Sequence, residues 1–132
     1  DYKVSGRKAI IGESLAGLFV TETLLNEPEA FDYYIAMDPS LWWNNHALTR
    51  NAAEKLANFP HSEITYWFAG SDAPDISQYT HSLSETLKKS APPSLRWQYL
   101  DQPKEKHYTI FRATKEQALI WTFGSKEKEA VH

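Results

Sequence analysis

The segment Lys8 to Phe19, KAIIGESLAGLF, has the residue types and spacing best suited to nucleophilic chemistry. A short apolar run leads into Gly12-Glu13-Ser14-Leu15-Ala16-Gly17, and an apolar helical pattern follows at once. A serine in such a turn projects its hydroxyl, so that a neighbouring base can take the proton and backbone N–H groups can bind an oxyanion. The segment therefore predicts that Ser14 is the nucleophile of a serine hydrolase.

The motif departs in one place from the common nucleophile turn, G-x-S-x-G. Its last position is Ala16, and Gly17 follows one residue later. Alanine is small enough for the turn to pack closely, so the motif still favours a nucleophile. The alternative is that Ser14 only caps the following helix. A phosphate-binding turn is disfavoured, because the segment has neither G-x-G-x-x-G nor a closing Lys-Ser/Thr pair.

A serine nucleophile needs a base and, commonly, an acid that orients the base. His107 is the best of the five histidines, because it lies in a polar loop after the last predicted strand. Asp72 follows the strand before that and is the preferred acid, with Asp75 as the alternative. Either aspartate could instead cap a turn or a helix. The chain order Ser14, Asp72, His107 matches that of the α/β-hydrolase triad.

Hydrophobic periodicity indicates the elements that must position these residues. Strands and helices alternate along the chain, and the strand at 33–37 is continuously apolar, as expected for a strand covered on both faces. The predicted fold class is α/β, a mostly parallel sheet with helices on both faces. The predicted strands lie at 9–11, 33–37, 64–69 and 95–100, and the later helices at 46–58, 76–89 and 114–123, the last ending at Gly124.

The composition of the chain excludes or disfavours several classes of function. The 132 residues fit one domain, and a net charge of −3 with scattered lysines disfavours nucleic acid as a partner. The absence of cysteine excludes thiol nucleophiles and thiolate metal sites. No apolar run is long enough to span a bilayer, so a soluble protein is expected, with cytoplasm and periplasm both open.

The first strand begins only a few residues into the chain. We therefore expect residues 1–132 to be a single unit that forms the carboxyl-terminal half of a larger α/β-hydrolase domain. Without the preceding strands, the first strand would have an uncovered edge, and a homo-oligomer through that edge is expected.

Two segments, GRKAIIGESLAGLFV and FDYYIAMDPSLWWNN, resemble the esterase family that includes esterase D and the enterochelin and ferric-siderophore esterases. The resemblance extends from about Gly6 to Gly124. Its most specific part is Pro39-Ser40-Leu41-Trp42-Trp43, and the loop around His107 is also similar to the family's catalytic-histidine region. Asp38 stands where this family leads us to expect a serine.

The resemblance implies hydrolysis of a small-molecule carboxylic ester through an acyl-enzyme, with no metal or organic cofactor. Ser14 would attack, His107 would shuttle the proton, and the Leu15 N–H would donate one oxyanion-hole bond. Glu13, Trp42 and Trp43 are the expected substrate-binding residues. Some members of this branch use a Ser-His pair without a clear acid, so the resemblance leaves open whether Asp72 completes a triad.

Two other interpretations stay open at this stage. A non-catalytic α/β binding module could contain the same serine turn as a purely structural feature, with its tryptophans facing a partner. An acyltransferase could use the same residues with a different acceptor. In this fold the second oxyanion donor comes from a loop after an earlier strand, so the isolated chain is expected to be inactive or nearly so.

Overall fold

The computed structural model describes residues 8–131 except 42, 61, 103, 107 and 108, with the backbone alone at 43–49, 74–75 and 124–131. Four strands alternate with four helices, and a short 3₁₀ turn, Pro28–Ala30, follows the first helix. The elements in chain order are β1 (Ala9–Glu13), α1 (Leu15–Asn26), β2 (Tyr33–Met37), α2 (Trp43–Ala57), β3 (Ile64–Gly70), α3 (Pro74–Ser90), β4 (Leu95–Asp101) and α4 (Ile110–Val131).

The described strands form one parallel sheet in the order β1-β2-β3-β4. The register places Glu13 beside Met37, and Met37 beside Ala69. On the far side of β3, Gly70 is paired with Asp101 of β4. The loops that follow the four strands therefore all lie at the carboxyl ends of the strands. Open parallel sheets form their ligand and active sites at this end.

Alternate residues of the central strands enter two separate cores. Tyr34 and Ala36 of β2 belong to a cluster that also contains residues of α1, α2 and α3. Ile35 and Met37 belong to a second cluster with Ile110 and Ala118 of α4. Successive side chains of a strand point to opposite faces, so the helices cover both faces of the sheet. The predicted fold class is confirmed.

Several predicted helix boundaries were wrong, including the start of α2, which is Trp43 and not residue 46. Helix α4 starts at Ile110 and continues past Gly124 to Val131. An interior glycine costs a helix only about 1 kcal/mol relative to alanine, and the lysine, glutamate and alanine residues after it are good helix formers. Helix α3 starts at Pro74 with Ala73 at the N-cap, so Asp75 does not cap it. Proline is well tolerated in the first turn, where its missing N–H has no partner to lose.

The outer edge of the sheet is exposed at β1, which pairs only with β2 among the described strands. Exposed and half-buried residues alternate along β1, whereas every residue of β2 and β3 is buried. Three large apolar side chains are exposed on β1 and α1, namely Ile11, Leu15 and Phe19. None of the described helices is both long and apolar enough to cross a membrane.

Candidate active site

Ser14 forms the whole connection between β1 and α1. The strand ends at Glu13, the helix begins at Leu15, and Ser14 has φ 58° and ψ −123°. A non-glycine residue at positive φ is strained, and such strain persists only where the surrounding structure enforces it. The Ser14 side chain makes no capping hydrogen bond to the helix. Ser14 thus occupies the N-cap position of α1 without using its hydroxyl as a cap.

The loop after β2 holds the Ser14 peptide from both sides. The Ser14 amide donates to the Met37 carbonyl oxygen at 3.0 Å, and the Ser40 amide donates to the Ser14 carbonyl oxygen at 3.1 Å. The hydroxyl oxygens of Ser14 and Ser40 lie 3.5 Å apart, and Ser40 is buried. The strained turn is thus fixed by long-range contacts as well as by its own two elements.

Close packing at two glycines permits this turn. A Cβ on Gly12 would lie 2.7 Å from the carbonyl carbon and oxygen of Ala16. A Cβ on Gly17 would lie 3.2 Å from the Cα of Pro39. The motif has Ala16 in place of the usual last glycine. The close approach between α1 and the loop after β2 occurs one residue later, at Gly17.

Leu15 is the first residue of α1, and the amides of a helix's first turn lack partners within the helix. Its N–H therefore begins a region of positive backbone potential next to the serine. Glu13 is exposed at the end of β1. These positions are compatible with the roles expected of Leu15 and Glu13 beside an oxyanion and a substrate.

Asp72 is the second residue after β3, and its carboxylate accepts a hydrogen bond from the Lys106 ammonium at 2.6 Å. Its backbone amide donates to the Glu105 carbonyl oxygen at 2.9 Å. The loop after β4 is also tied to β3, because the Gln102 amide donates to the Gly70 carbonyl oxygen at 2.8 Å. The fold thereby brings Asp72 next to the loop that leads to His107.

His107 itself and Trp42 lie outside the described residues, so their expected roles stay predictions. The backbone around His107 is described: the amides of Thr109 and Ile110 both donate to the Lys106 carbonyl oxygen at 3.0 Å. Trp43 is the first residue of α2, and its side chain is also outside the described part. Trp43 therefore belongs to a helix and not to a strand.

Sequence reasoning missed a buried polar contact between the loops that follow β2 and β3. Asp38 is completely buried at φ 50°, and its carboxylate accepts hydrogen bonds of 2.6 Å from both the amide and the hydroxyl of Ser71. The charge of Asp38 also contributes, after burial and the nearer Asp101, to raising the pKa of Tyr99 to about 12. The one available signal was that a charged residue replaces the expected serine directly after a buried strand.

A metal-dependent mechanism has no obvious donor set among the described side chains. No group of three or more histidine, aspartate or glutamate residues in the described ranges is arranged to hold a metal ion.

Comparison with known proteins supports the resemblance. No protein-family model matches the chain. A siderophore enterobactin esterase of Emericella nidulans is 45% identical over 47 residues, which are 36% of this chain and 16% of that protein. The ferri-bacillibactin esterase BesA of Bacillus subtilis is 51% identical over 45 residues, or 33% of this chain and 16% of that protein.

Solved structures share the fold over a longer range. The BES protein of Bacillus cereus has a TM-score of 0.74 at 23% identity, and the match covers 84% of this chain and 43% of that one. An IroE-like serine hydrolase of Shewanella oneidensis has a TM-score of 0.73 at 20% identity, covering 83% and 38%. The enterobactin esterase FES of Shigella flexneri has a TM-score of 0.68 at 21% identity, covering 89% and 30%.

The curated relatives and the solved structures point to the same kind of protein. The curated relatives are named as siderophore esterases, and the shared region is about a sixth of the length of each. The structural neighbours reproduce the parallel sheet and its helices across most of the chain, which spans less than half of each of them. The family resemblance that the sequence predicted is therefore confirmed: this chain is similar to the siderophore esterases.

Proposed function

We propose that this chain is the carboxyl-terminal part of an α/β-hydrolase domain whose parent protein hydrolyses carboxylic esters through an acyl-enzyme at Ser14. The observation that carries the proposal is the Ser14 turn, strained at φ 58° and held by Met37 and Ser40. Strain stored at one residue and supported by distant contacts is typical of functional sites. A strand-to-helix turn of this kind exposes the nucleophile of α/β-hydrolases.

The proposed reaction assigns one step to each residue. Ser14 Oγ attacks the ester carbonyl carbon while His107 accepts the hydroxyl proton, and the Leu15 N–H donates to the developing oxyanion. His107 then protonates the leaving alkoxide, and the same residue activates the water that releases the acid. Asp72 holds the imidazole in the productive orientation. Glu13, Trp42 and Trp43 are proposed to contact the substrate.

The proposed substrate class comes from the relatives. The matched curated proteins are named as esterases of siderophores. We extend this to the parent protein of the present chain as a small-molecule ester of that class. The alternative acceptor, an alcohol in place of water, would make the protein an acyltransferase, which product analysis with both acceptors would reveal.

Labelling with a fluorophosphonate probe tests the proposal in the full-length protein. The probe reacts only with an activated serine, so peptide mapping by mass spectrometry should place the label on Ser14. Ser40 is the matched internal control, since its hydroxyl lies 3.5 Å from that of Ser14 but belongs to a buried residue in another loop. Ser14→Ala should abolish labelling and lower kcat by a factor on the order of 10⁴ to 10⁶.

Two outcomes would contradict the proposal. A protein that folds normally, as judged by circular dichroism, and takes no label would support a non-catalytic binding module. A label on Ser40 would move the nucleophile out of the strained turn. The isolated 132-residue chain is expected to hydrolyse a chromogenic ester at or near background, because the loop expected to supply the second oxyanion donor precedes it. Loss of one such donor costs about 2.7–4 kcal/mol in the barrier.

A further inference from the structure

Asp38 is an unusual residue for its position. It is completely buried, it has φ 50°, and it occupies the first position after β2. Burial of an ionised carboxylate is costly unless hydrogen bonds replace its hydration. Burying an aspartate at this position therefore costs free energy, whereas the family resemblance leads us to expect a neutral serine here.

The carboxylate of Asp38 accepts two hydrogen bonds from Ser71. Its Oδ1 accepts from the Ser71 amide and its Oδ2 from the Ser71 hydroxyl, both at 2.6 Å. Hydrogen bonds to an ionised group are shorter and about twice as strong as those between neutral groups. The pair therefore fixes both the backbone and the side chain of Ser71.

Ser71 directly precedes Asp72, and three consecutive amides of this loop have defined acceptors. The Ser71 amide donates to Asp38, the Asp72 amide donates to the Glu105 carbonyl oxygen, and the Ala73 amide donates to the Ser71 hydroxyl oxygen at 3.3 Å. The Asp38 bonds thus fix Ser71 before Asp72, and the Ser71 hydroxyl that Asp38 orients accepts from Ala73 after it.

The backbone of Asp38 belongs to the support of Ser14. The residue before it, Met37, accepts from the Ser14 amide, and Ser40, two residues after it, donates to the Ser14 carbonyl oxygen. The left-handed conformation of Asp38 turns the chain between these two contacts, and its own amide donates to the Ala69 carbonyl oxygen at 2.8 Å. One residue thus connects the Ser14 turn with the Asp72 loop.

We infer that Asp38 is a positioning residue, whose contact with Ser71 sets the place of the Asp72 carboxylate relative to the Ser14 nucleophile. The inference rests on the proposed function, because it assigns Asp38 an effect on that reaction. Catalytic groups must be held to within a fraction of an ångström, and a displacement of 1 Å can cost about 10²-fold in rate. In this role Asp38 acts on the reaction through Asp72.

Two substitutions at Asp38 separate the contact from the backbone turn. Asp38→Asn keeps a similar shape, tolerates positive φ, and can accept from the Ser71 amide while donating to the Ser71 hydroxyl. Asp38→Gly also accepts positive φ but removes the contact. A positioning role therefore predicts near-normal behaviour for the first variant and a loss for the second.

The test is a double-mutant cycle in the full-length protein, with the rate of fluorophosphonate labelling at Ser14 as the readout. We expect Asp38→Asn to label within about 3-fold of wild type and Asp38→Gly to label about 10- to 100-fold more slowly. Because Asp38 acts through Asp72, Asp38→Gly should cause no further loss in an Asp72→Asn background. A merely structural role would slow both backgrounds equally.

Amide hydrogen exchange supplies a second readout that does not depend on chemistry. The amides of Ser71, Asp72 and Ala73 should exchange faster in Asp38→Gly than in Asp38→Asn. If Asp38→Gly fails to fold, Ser71→Ala replaces it, since this change removes the Oδ2 bond and leaves the Ser71 amide bond. It should show a smaller loss with the same dependence on Asp72.

The outcomes distinguish the two proposals. If wild type is labelled and the losses in labelling rate from Asp38→Gly and Asp72→Asn multiply, the positioning role alone is overturned. The same holds if Asp38→Gly labels at the wild-type rate. A folded wild type that takes no label overturns the proposed function and the role of Asp38 in it.

Discussion

The hydroxyl oxygens of Ser14 and Ser40 lie 3.5 Å apart, although 26 positions separate them in sequence. Ser40 is buried and bonds the Ser14 carbonyl oxygen through its own amide. The two contacts place the buried Ser40 hydroxyl beside the proposed nucleophile.

Ser40→Ala should lower the rate of fluorophosphonate labelling at Ser14 modestly, by about 2- to 10-fold. A neutral hydrogen bond contributes about 0.5–1.5 kcal/mol, and the backbone contact to Ser14 survives the change. Ser94→Ala is the matched control, because its hydroxyl bonds the Pro60 carbonyl oxygen away from the strand ends that carry the site. Equal losses in both variants would contradict a local effect at Ser14.

Asp72→Asn should lower kcat for a chromogenic ester by about 10²- to 10⁴-fold, because the amide cannot hold the imidazole of His107 in the required tautomer. Asp101→Asn serves as the control, since Asp101 is an exposed strand-end aspartate with a different partner, His81 at 3.2 Å. An unchanged kcat in Asp72→Asn with a loss in Asp75→Asn would move the acid to Asp75. An unchanged kcat in both would favour a Ser-His pair.

Gly12→Ala should lower the free energy of unfolding by about 3 kcal/mol, the upper end for overpacking. The new Cβ would meet the Ala16 backbone at 2.7 Å, and backbone atoms can yield only if β1 and α1 move apart. Gly17→Ala should cost less, about 1 kcal/mol, because its new Cβ would lie 3.2 Å from the Pro39 Cα, a tight but longer contact, and helix propensity partly offsets the crowding. Urea unfolding of both variants checks the difference, and a similar loss in each would contradict it.

Tyr66 should make the protein sensitive to alkaline pH. Burial raises its pKa well above the usual value of 10.0, and its hydroxyl lies 2.8 Å from that of Thr21. The folded state therefore keeps the phenol proton that the unfolded state loses near pH 10. Stability is fully present below about pH 10 and falls above it, by about 1.4 kcal/mol per pH unit for this group.

Urea unfolding between about pH 8 and pH 11 measures this loss. Tyr66→Phe should lower stability at pH 8 by about 1 kcal/mol and flatten the decline above pH 10. Tyr99→Phe should also flatten the decline above pH 10, because burial raises the Tyr99 pKa to about 12. A decline in Tyr66→Phe as steep as in wild type would contradict the assignment.

The 132-residue chain expressed alone should form dimers or higher oligomers through the β1 edge. Ile11 and Phe19 are 47% and 57% exposed there, and an unpaired strand edge next to apolar side chains favours pairing with another copy. Light scattering should show that Ile11→Lys with Phe19→Lys shifts the chain toward monomer. Ile120→Lys is the control, as Ile120 is 62% exposed on α4 and lies beside Leu100 of β4, at the other end of the strand order from β1. A monomeric wild-type chain would contradict the prediction.

Local sequence alone determined most of the architecture. The apolar run at Tyr33–Met37 matches β2 at both ends, and the predicted runs for β3 and β4 are each one residue short. The reason is that continuous apolar runs bounded by polar turns leave few alternatives to buried parallel strands. Helix ends were less predictable, as Gly124 shows, because one unfavourable residue is outweighed by its neighbours.

The sequence also identified Ser14 as the candidate nucleophile and Asp72 as a candidate acid, since both follow predicted strands. Only the tertiary structure decided that Ser14 is strained at φ 58° with no capping bond from its side chain, and that Asp38 joins Ser71 across two loops. These facts depend on the parallel register, which brings the ends of β1, β2 and β3 together at one edge. Residues so far apart in the chain have no local pattern that could reveal their contact.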